Sequence, residues 1–243
     1  MNKTVDAINK EGNFLAISIL VAALIVAGTL IYVFGPTRGT GGSEVSEGPE
    51  VQAGELPAIG DDYFLGDGNA PLVIIEFGDY QCPFCGRFFS QTEPQIRENY
   101  VKTGKAKFVY KDLVIIDGFV AGGQESTNSA MAANCAGEQG KFWEYHDLLF
   151  ETEIKDGEEN NGNLKRGLFL SLAQSLKLND GQFIDCFDSK KYLAEVEGDT
   201  REAEASLPQL STPSTFVNNR LVSGAVPYEQ FASIIEEELN EVN

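Results

Sequence analysis

Where a near-continuous apolar run, Leu72-Val73-Ile74-Ile75, gives way to a helix-like segment from Phe88 to Tyr100, the chain carries Cys82-Pro83-Phe84-Cys85. Apolar residues without alternation suit a central strand covered on both faces. A strand that delivers two cysteines to the first turn of a helix limits the fold and the chemistry together. A thiol there faces unpaired backbone N–H groups and the positive end of the helix dipole, which favour its thiolate. A second thiol one turn on can close a small ring, so the pair can alternate between dithiol and disulfide without refolding. The competing readings are a structural bridge or half of a zinc site. Zinc would need two further ligands, and the single histidine is His146. No metal is expected.

Around this junction the pattern is α/β. The turn-rich stretch Gly66 to Pro71 precedes the first strand, and Lys105 to Val114 alternates as a second. Strand, helix, strand in this order predicts a parallel pair with a right-handed crossover. The next convincing strand, Ser214 to Val217, lies about 100 residues on, too far for a bare loop in a compact domain. A helical insertion over about 118–205 is therefore expected. Its signals are Ala130, Ala133 and Cys135; Phe142, Tyr145 and Leu149; Leu164, Leu168, Leu172 and Leu176; and a short piece around Phe183 and Phe187. Asp156 to Asn163 reads as a polar break. Ser214 to Val217 and Leu221 to Ser223 flank Asn218-Asn219 as a hairpin, and Pro227 opens a last helix with Tyr228, Phe231, Ile235 and Leu239 on one face.

Ahead of the domain, Phe14 to Phe34 holds no charge and is long enough for one membrane crossing at roughly 20 residues. Residues 14–34 are expected to be an uncleaved transmembrane helix, with a cleaved signal peptide as the alternative. Lys3 and Lys10 precede the run and only Arg38 closely follows it, which puts residues 1–13 in the cytoplasm. The protein would be single-pass in the cell membrane with its C-terminal domain extracytoplasmic. Residues 35–60, rich in Gly, Ser, Pro and Glu, read as a flexible linker before a domain at 61–243. A net charge of −19 opposes nucleic acid and anionic lipid, leaving polypeptides or small thiols as substrates. Four cysteines fit an oxidising compartment.

Three separated motifs carry a resemblance: Phe77-Gly78-Asp79-Tyr80-Gln81-Cys82-Pro83-Phe84-Cys85, Gln139 to Asp147, and Thr212-Pro213. In this order they resemble the DsbA-like thiol-disulfide oxidoreductases, from about Asp61 to the C-terminus. The resemblance implies a thioredoxin-like fold with an inserted α-helical subdomain, and no cofactor. It makes Cys82 the exposed attacking sulfur and Cys85 the resolving one. It implies a cis Thr212–Pro213 bond beside the pair, where the residue before the proline grips an extended substrate chain. Pro83 and Phe84 complete the substrate-binding set, and this dipeptide helps set the potential. Ser211 stands where such families often have Gly. Glu76, six residues before Cys82, matches their buried acid and would relay a proton to or from Cys85; the alternative is that it faces solvent or pairs with a lysine such as Lys111. Cys135 and Cys186 read as a structural bridge within the insertion, or else as two buried thiols. His146, mid-helix among aromatics, reads as a packing or hydrogen-bonding residue. The implied function is introduction of disulfides into exported polypeptide thiols, with a membrane redox partner that reoxidises the pair. The rivals are a reductase or isomerase, a non-catalytic polypeptide-binding module, and a metallochaperone.

Overall fold

The computed structural model describes residues 51–159 and 161–242. A six-stranded sheet runs through it in the order β1-β6-β5-β3-β4-β2. The strands are β1 (Val51–Ala53), β2 (Phe64–Leu65), β3 (Leu72–Gly78), β4 (Ala106–Asp112), β5 (Ser214–Val217) and β6 (Arg220–Ser223). Only β3 and β4 pair in parallel, joined by helix α1 (Pro83–Gln91), a short α2 (Glu93–Ile96) and a π turn over Arg97–Val101. The single helix expected over Phe88 to Tyr100 is thus divided. Pro94 cannot donate into the preceding turn, so the helix stops at Gln91 and restarts.

Strand β3 is central and covered on both faces because its side chains alternate between two cores. Leu72 and Ile74 pack with Phe88, Phe108 and Phe231. Ile75 and Phe77 pack on the other side with Val109, Phe216 and Leu221. Between β4 and β5 lie α3 (Glu125–Gly137), α4 (Phe142–Asp156), α5 (Arg166–Ser175), α6 (Asp180–Asp188) and α7 (Leu193–Ser206), and α8 (Tyr228–Val242) ends the domain. A third core, with Tyr145, Leu149, Phe150, Phe169 and Phe183, joins these helices to Tyr80, Cys82 and Cys85. The insertion therefore packs directly against the cysteine turn. Cys135 and Cys186 are bonded to each other, tying α3 to α6 across a separation of 51 residues. Closing a loop of that length stabilises by up to about 4 kcal/mol through chain entropy.

One boundary needs correction. The linker predicted over 35–60 does not extend to Gly60: Val51 pairs with Val222 and Ala53 with Arg220, while Leu56 and Ile59 pack on the Phe77 and Phe216 core. An edge strand is held mainly by backbone hydrogen bonds, so three residues of mixed polarity carry too little alternation to be read from sequence. Gly54 lets the chain pass close over the sheet, since a Cβ there would fall 2.8 Å from the Phe216 ring. Helix α7 lies within the expected helical insertion but was not singled out, because a segment rich in acidic residues buries only Val196 and Ala203. It is held instead by charge: Lys111 Nζ lies 2.9 Å from Glu202 and 3.3 Å from Asp199, and 2.6 Å from Asp62. The apolar run Phe14 to Phe34 and the linker up to residue 50 lie outside the described residues. Among those described, no helix is long and apolar enough to cross a membrane.

Candidate active site

Cys82 is the N-cap of α1, with extended backbone angles (φ −75°, ψ 120°), and Pro83 occupies the first helical position. That residue has no N–H to leave unpaired, while the N–H groups of Phe84 and Cys85 remain directed at the Cys82 sulfur. Hydrogen bonding from Cys85, then from Thr212 and these backbone groups, outweighs burial and lowers the Cys82 thiol from 9.0 to about 6. In its protonated form Cys82 Sγ donates to the Thr212 carbonyl at 3.5 Å. Cys85 is 0% exposed, and burial followed by the neighbouring Cys82 sulfur raises its pKa far above the ordinary range. Its sulfur accepts from the Asp79 N–H at 3.5 Å. Both are unpaired thiols here. One is thus poised as a thiolate at neutral pH, and the other is held protonated.

Cys82 was expected to be exposed, yet the residue is 5% exposed. The N-cap geometry turns its sulfur inward toward Cys85 and Thr212, and the residue helps to line a surface groove. The outer surface of the turn is Pro83 and Phe84 instead, with Phe84 55% exposed and the Arg87 guanidinium 5.0 Å from its ring centroid. Across from the turn, the Thr212–Pro213 peptide bond is cis and leads into β5. Ser211, whose carbonyl accepts from Ser214 Oγ at 2.7 Å, closes the loop just before it.

Glu76, in the middle of β3, is 1% exposed and neither faces solvent nor meets Lys111, which is committed to Asp62, Asp199 and Glu202. Burial, and then the Glu93 charge, push its carboxyl well above the usual range, with the Cys82 thiolate adding to the effect. Among the described residues Glu76 Oε2 has no hydrogen-bond partner. Its protonated form is favoured over that of an ordinary carboxylate, and it lies within electrostatic reach of both sulfurs.

A thioredoxin family model matches residues 59–237. The chain belongs to the thioredoxin family. Over 200 residues it is 26% identical to disulfide bond formation protein D of Bacillus subtilis, covering 81% of this chain and 85% of that one. A 179-residue stretch, 72% of this chain, is 32% identical to Na(+)/H(+) antiporter NhaA 1 of Salinispora arenicola, of which it covers 24%. Among solved structures, oxidised BdbD from Bacillus subtilis superposes with a TM-score of 0.69 at 26% identity, over 77% of this chain and 98% of that one. Within the thioredoxin family the chain is a DsbA-like thiol-disulfide oxidoreductase.

This thioredoxin-family site also contains buried charged residues that sequence reasoning passed over. Asp79 is fully inside; its carboxylate accepts from the Gln81, Ile115 and Ile116 N–H groups, each at 3.0 Å, and burial still lifts it to about 7. It ties the cysteine turn to the loop after β4. Beneath α1, Arg97 contacts Glu93 and lies 2.9 Å from Asp147, with its guanidinium 5.1 Å from the Trp143 ring. Glu93, buried, is raised by burial to about 7 despite Arg97. The Glu93 to Arg97 spacing of one helical turn was a visible signal for this pair. His146 is buried among Phe89, Trp143 and Phe150, its Nδ1 3.1 Å from the Tyr80 hydroxyl. Burial and Arg97 lower its pKa far below the ordinary value, so it stays neutral.

Proposed function

We propose that this protein is an extracytoplasmic disulfide donor for exported polypeptides. The observation that carries the reading is the asymmetry of the pair: a thiol lowered to about 6 at Cys82 beside a protonated, enclosed Cys85. A stabilised Cys82 thiolate is a good leaving group and lowers the free energy of the reduced protein, so the disulfide is driven to oxidise others.

In the oxidised protein a substrate thiolate attacks Cys82 of the Cys82–Cys85 disulfide. A substrate–Cys82 bond forms, the Cys82–Cys85 bond breaks, and Cys85 departs as a thiolate that takes a proton from Glu76. A second substrate thiolate then attacks the substrate sulfur of the mixed disulfide, and Cys82 leaves as the stabilised thiolate. The substrate loses two thiols and gains one disulfide; the protein gains two electrons. Thr212, through its backbone, and Pro213 hold the extended substrate on one side, with Pro83 and Phe84 on the other. Such β-augmentation grips a chain with little regard to sequence. Cys135–Cys186 stays outside this cycle as a structural bridge.

The domain works at the outer face of the cell membrane, held by a single span over residues 14–34 with residues 1–13 in the cytoplasm. A membrane redox partner takes the two electrons and restores the disulfide. The apolar run Phe14 to Phe34 and the charge asymmetry around it support this placement.

Equilibration of the Cys82–Cys85 couple with a glutathione buffer tests the direction of flow. A potential above about −200 mV is expected for a disulfide donor. A value near about −270 mV, the range of thioredoxin itself, selects a reductase instead.

A further inference from the structure

A groove of about 320 Å³ opens beside Cys82, between α1 and the C-terminal end of α4. Its floor is apolar, formed by Phe150 and Ile154, and it persists because α1 presents Gly86 there: a Cβ at that position would sit 3.0 Å from Ile154 Cγ1. Its wall holds a carboxyl that has no ion-pair partner among the described residues. Glu153 is 7% exposed; its Oε2 accepts from Asn163 Nδ2 at 3.1 Å, but its Oε1 has no hydrogen-bond partner among the described residues. Burial raises this carboxyl to about 7, and Asp156, Glu125 and Asp79 all push it further in the same direction. Glu158 and Glu159 make the rim acidic. Arg87, on the opposite lip, is engaged with the Phe84 ring and with the Ala225 carbonyl at 3.4 Å.

A buried acid with an unpaired oxygen and three acidic neighbours is costly to ionise, so it gains when a cation arrives. The geometry points to a subsite for one lysine or arginine side chain of the substrate polypeptide, next to its reacting cysteine, with its aliphatic stem on Phe150 and Ile154 and its charged end on Glu153. Long basic side chains suit such a slot because they can lie along apolar surface while the head keeps a polar partner. The strong negative charge of the whole chain acts in the same direction during encounter. This inference rests on Cys82 being the sulfur that a substrate attacks. It adds to the backbone grip a preference for basic residues beside the cysteine.

The test uses the oxidised full-length protein and three dithiol peptides of one sequence, with Lys, Ala or Glu beside the first cysteine. The Lys peptide is expected to react about tenfold faster than the Ala peptide, and the Glu peptide slower than both. In Glu153→Gln the Lys-to-Ala ratio should fall to about two or less. A ratio on one protein sample cancels differences in folded fraction, so a weakly stable variant still reports. Equal rates for the three peptides on the unaltered protein, or an undiminished Lys preference in Glu153→Gln, would overturn the subsite while leaving the disulfide-donor reading in place. Failure to oxidise any of the three overturns that reading itself.

Discussion

Cys82→Ser is expected to lower the rate of disulfide transfer to reduced polypeptides by about a thousandfold or more, as removal of a sole covalent carrier does. No other sulfur can take its place. Cys85 is 0% exposed and its pKa is raised far above neutrality, while Cys135 and Cys186 are bonded to each other. Cys85→Ser should behave differently. The Cys82 thiolate survives and can attack a disulfide of an oxidised substrate, releasing one substrate thiolate; the resulting mixed disulfide cannot be released by closure of the Cys82–Cys85 ring, so covalent adducts should accumulate. Non-reducing electrophoresis with mass spectrometry of the adduct measures both outcomes. Transfer that persists in Cys82→Ser would show that the cysteine turn is not the reacting centre.

Arg97→Ala is expected to cost about 3–5 kcal/mol of stability, the range for orphaning a buried ionic partner. Arg97 is the cation that offsets both Glu93, which is buried, and Asp147, and its plane packs on Trp143. Removing it leaves two carboxyls facing each other beside Glu76, whose pKa Glu93 already raises and Arg97 lowers. The sign of the pH dependence follows. Glu93 has a folded pKa raised from 4.5 to about 7, so ionising it opposes folding as pH rises through that interval. Without Arg97 the penalty grows and extends to higher pH. The deficit of Arg97→Ala measured by urea denaturation should therefore be largest at pH 8 and shrink toward pH 5, where Glu93 holds its proton. Arg97→Lys, which keeps the charge but loses the planar contacts, should recover part of the loss. A deficit independent of pH would mean that packing on Trp143, not charge, is what Arg97 contributes.

Which parts of this molecule could be read in advance follows from how local their causes are. Strand β3 was legible because a run covered on both faces is apolar throughout, and α8 because Phe231, Ile235 and Leu239 recur at helical spacing. The hairpin was marked by Asn218, which adopts a left-handed conformation (φ 50°) at the turn. The helix α7 and strand β1 were not legible, since one is fastened by Lys111 and the other by backbone pairing to β6, and neither leaves a periodic trace. At the site, the strand-to-helix placement of Cys82 and Cys85 was local. The burial of Glu76 was left open by the sequence and is decided by its place on the central strand β3, in register with Tyr110 and on the opposite face from Lys111. The inward turn of Cys82 needs the Thr212 loop, and the charged layer of Glu93, Arg97 and Asp147 and the Glu153 groove arise only when α4 is brought against α1 and α2.

The central claim is that the fold ionises Cys82 and keeps Cys85 protonated. A thiol whose pKa falls from 9.0 to about 6 stabilises the reduced state fully above pH 9 and not at all below pH 6. At pH 7 the effect is on the order of 1 kcal/mol, or a few tens of mV in the two-electron couple. Ultraviolet titration of thiolate absorbance in the reduced protein, with Cys82→Ser as the blank, measures this directly. The account predicts one ionisation with a midpoint at about 6 that disappears in Cys82→Ser. A midpoint near 9, or an unchanged titration in the blank, would contradict it.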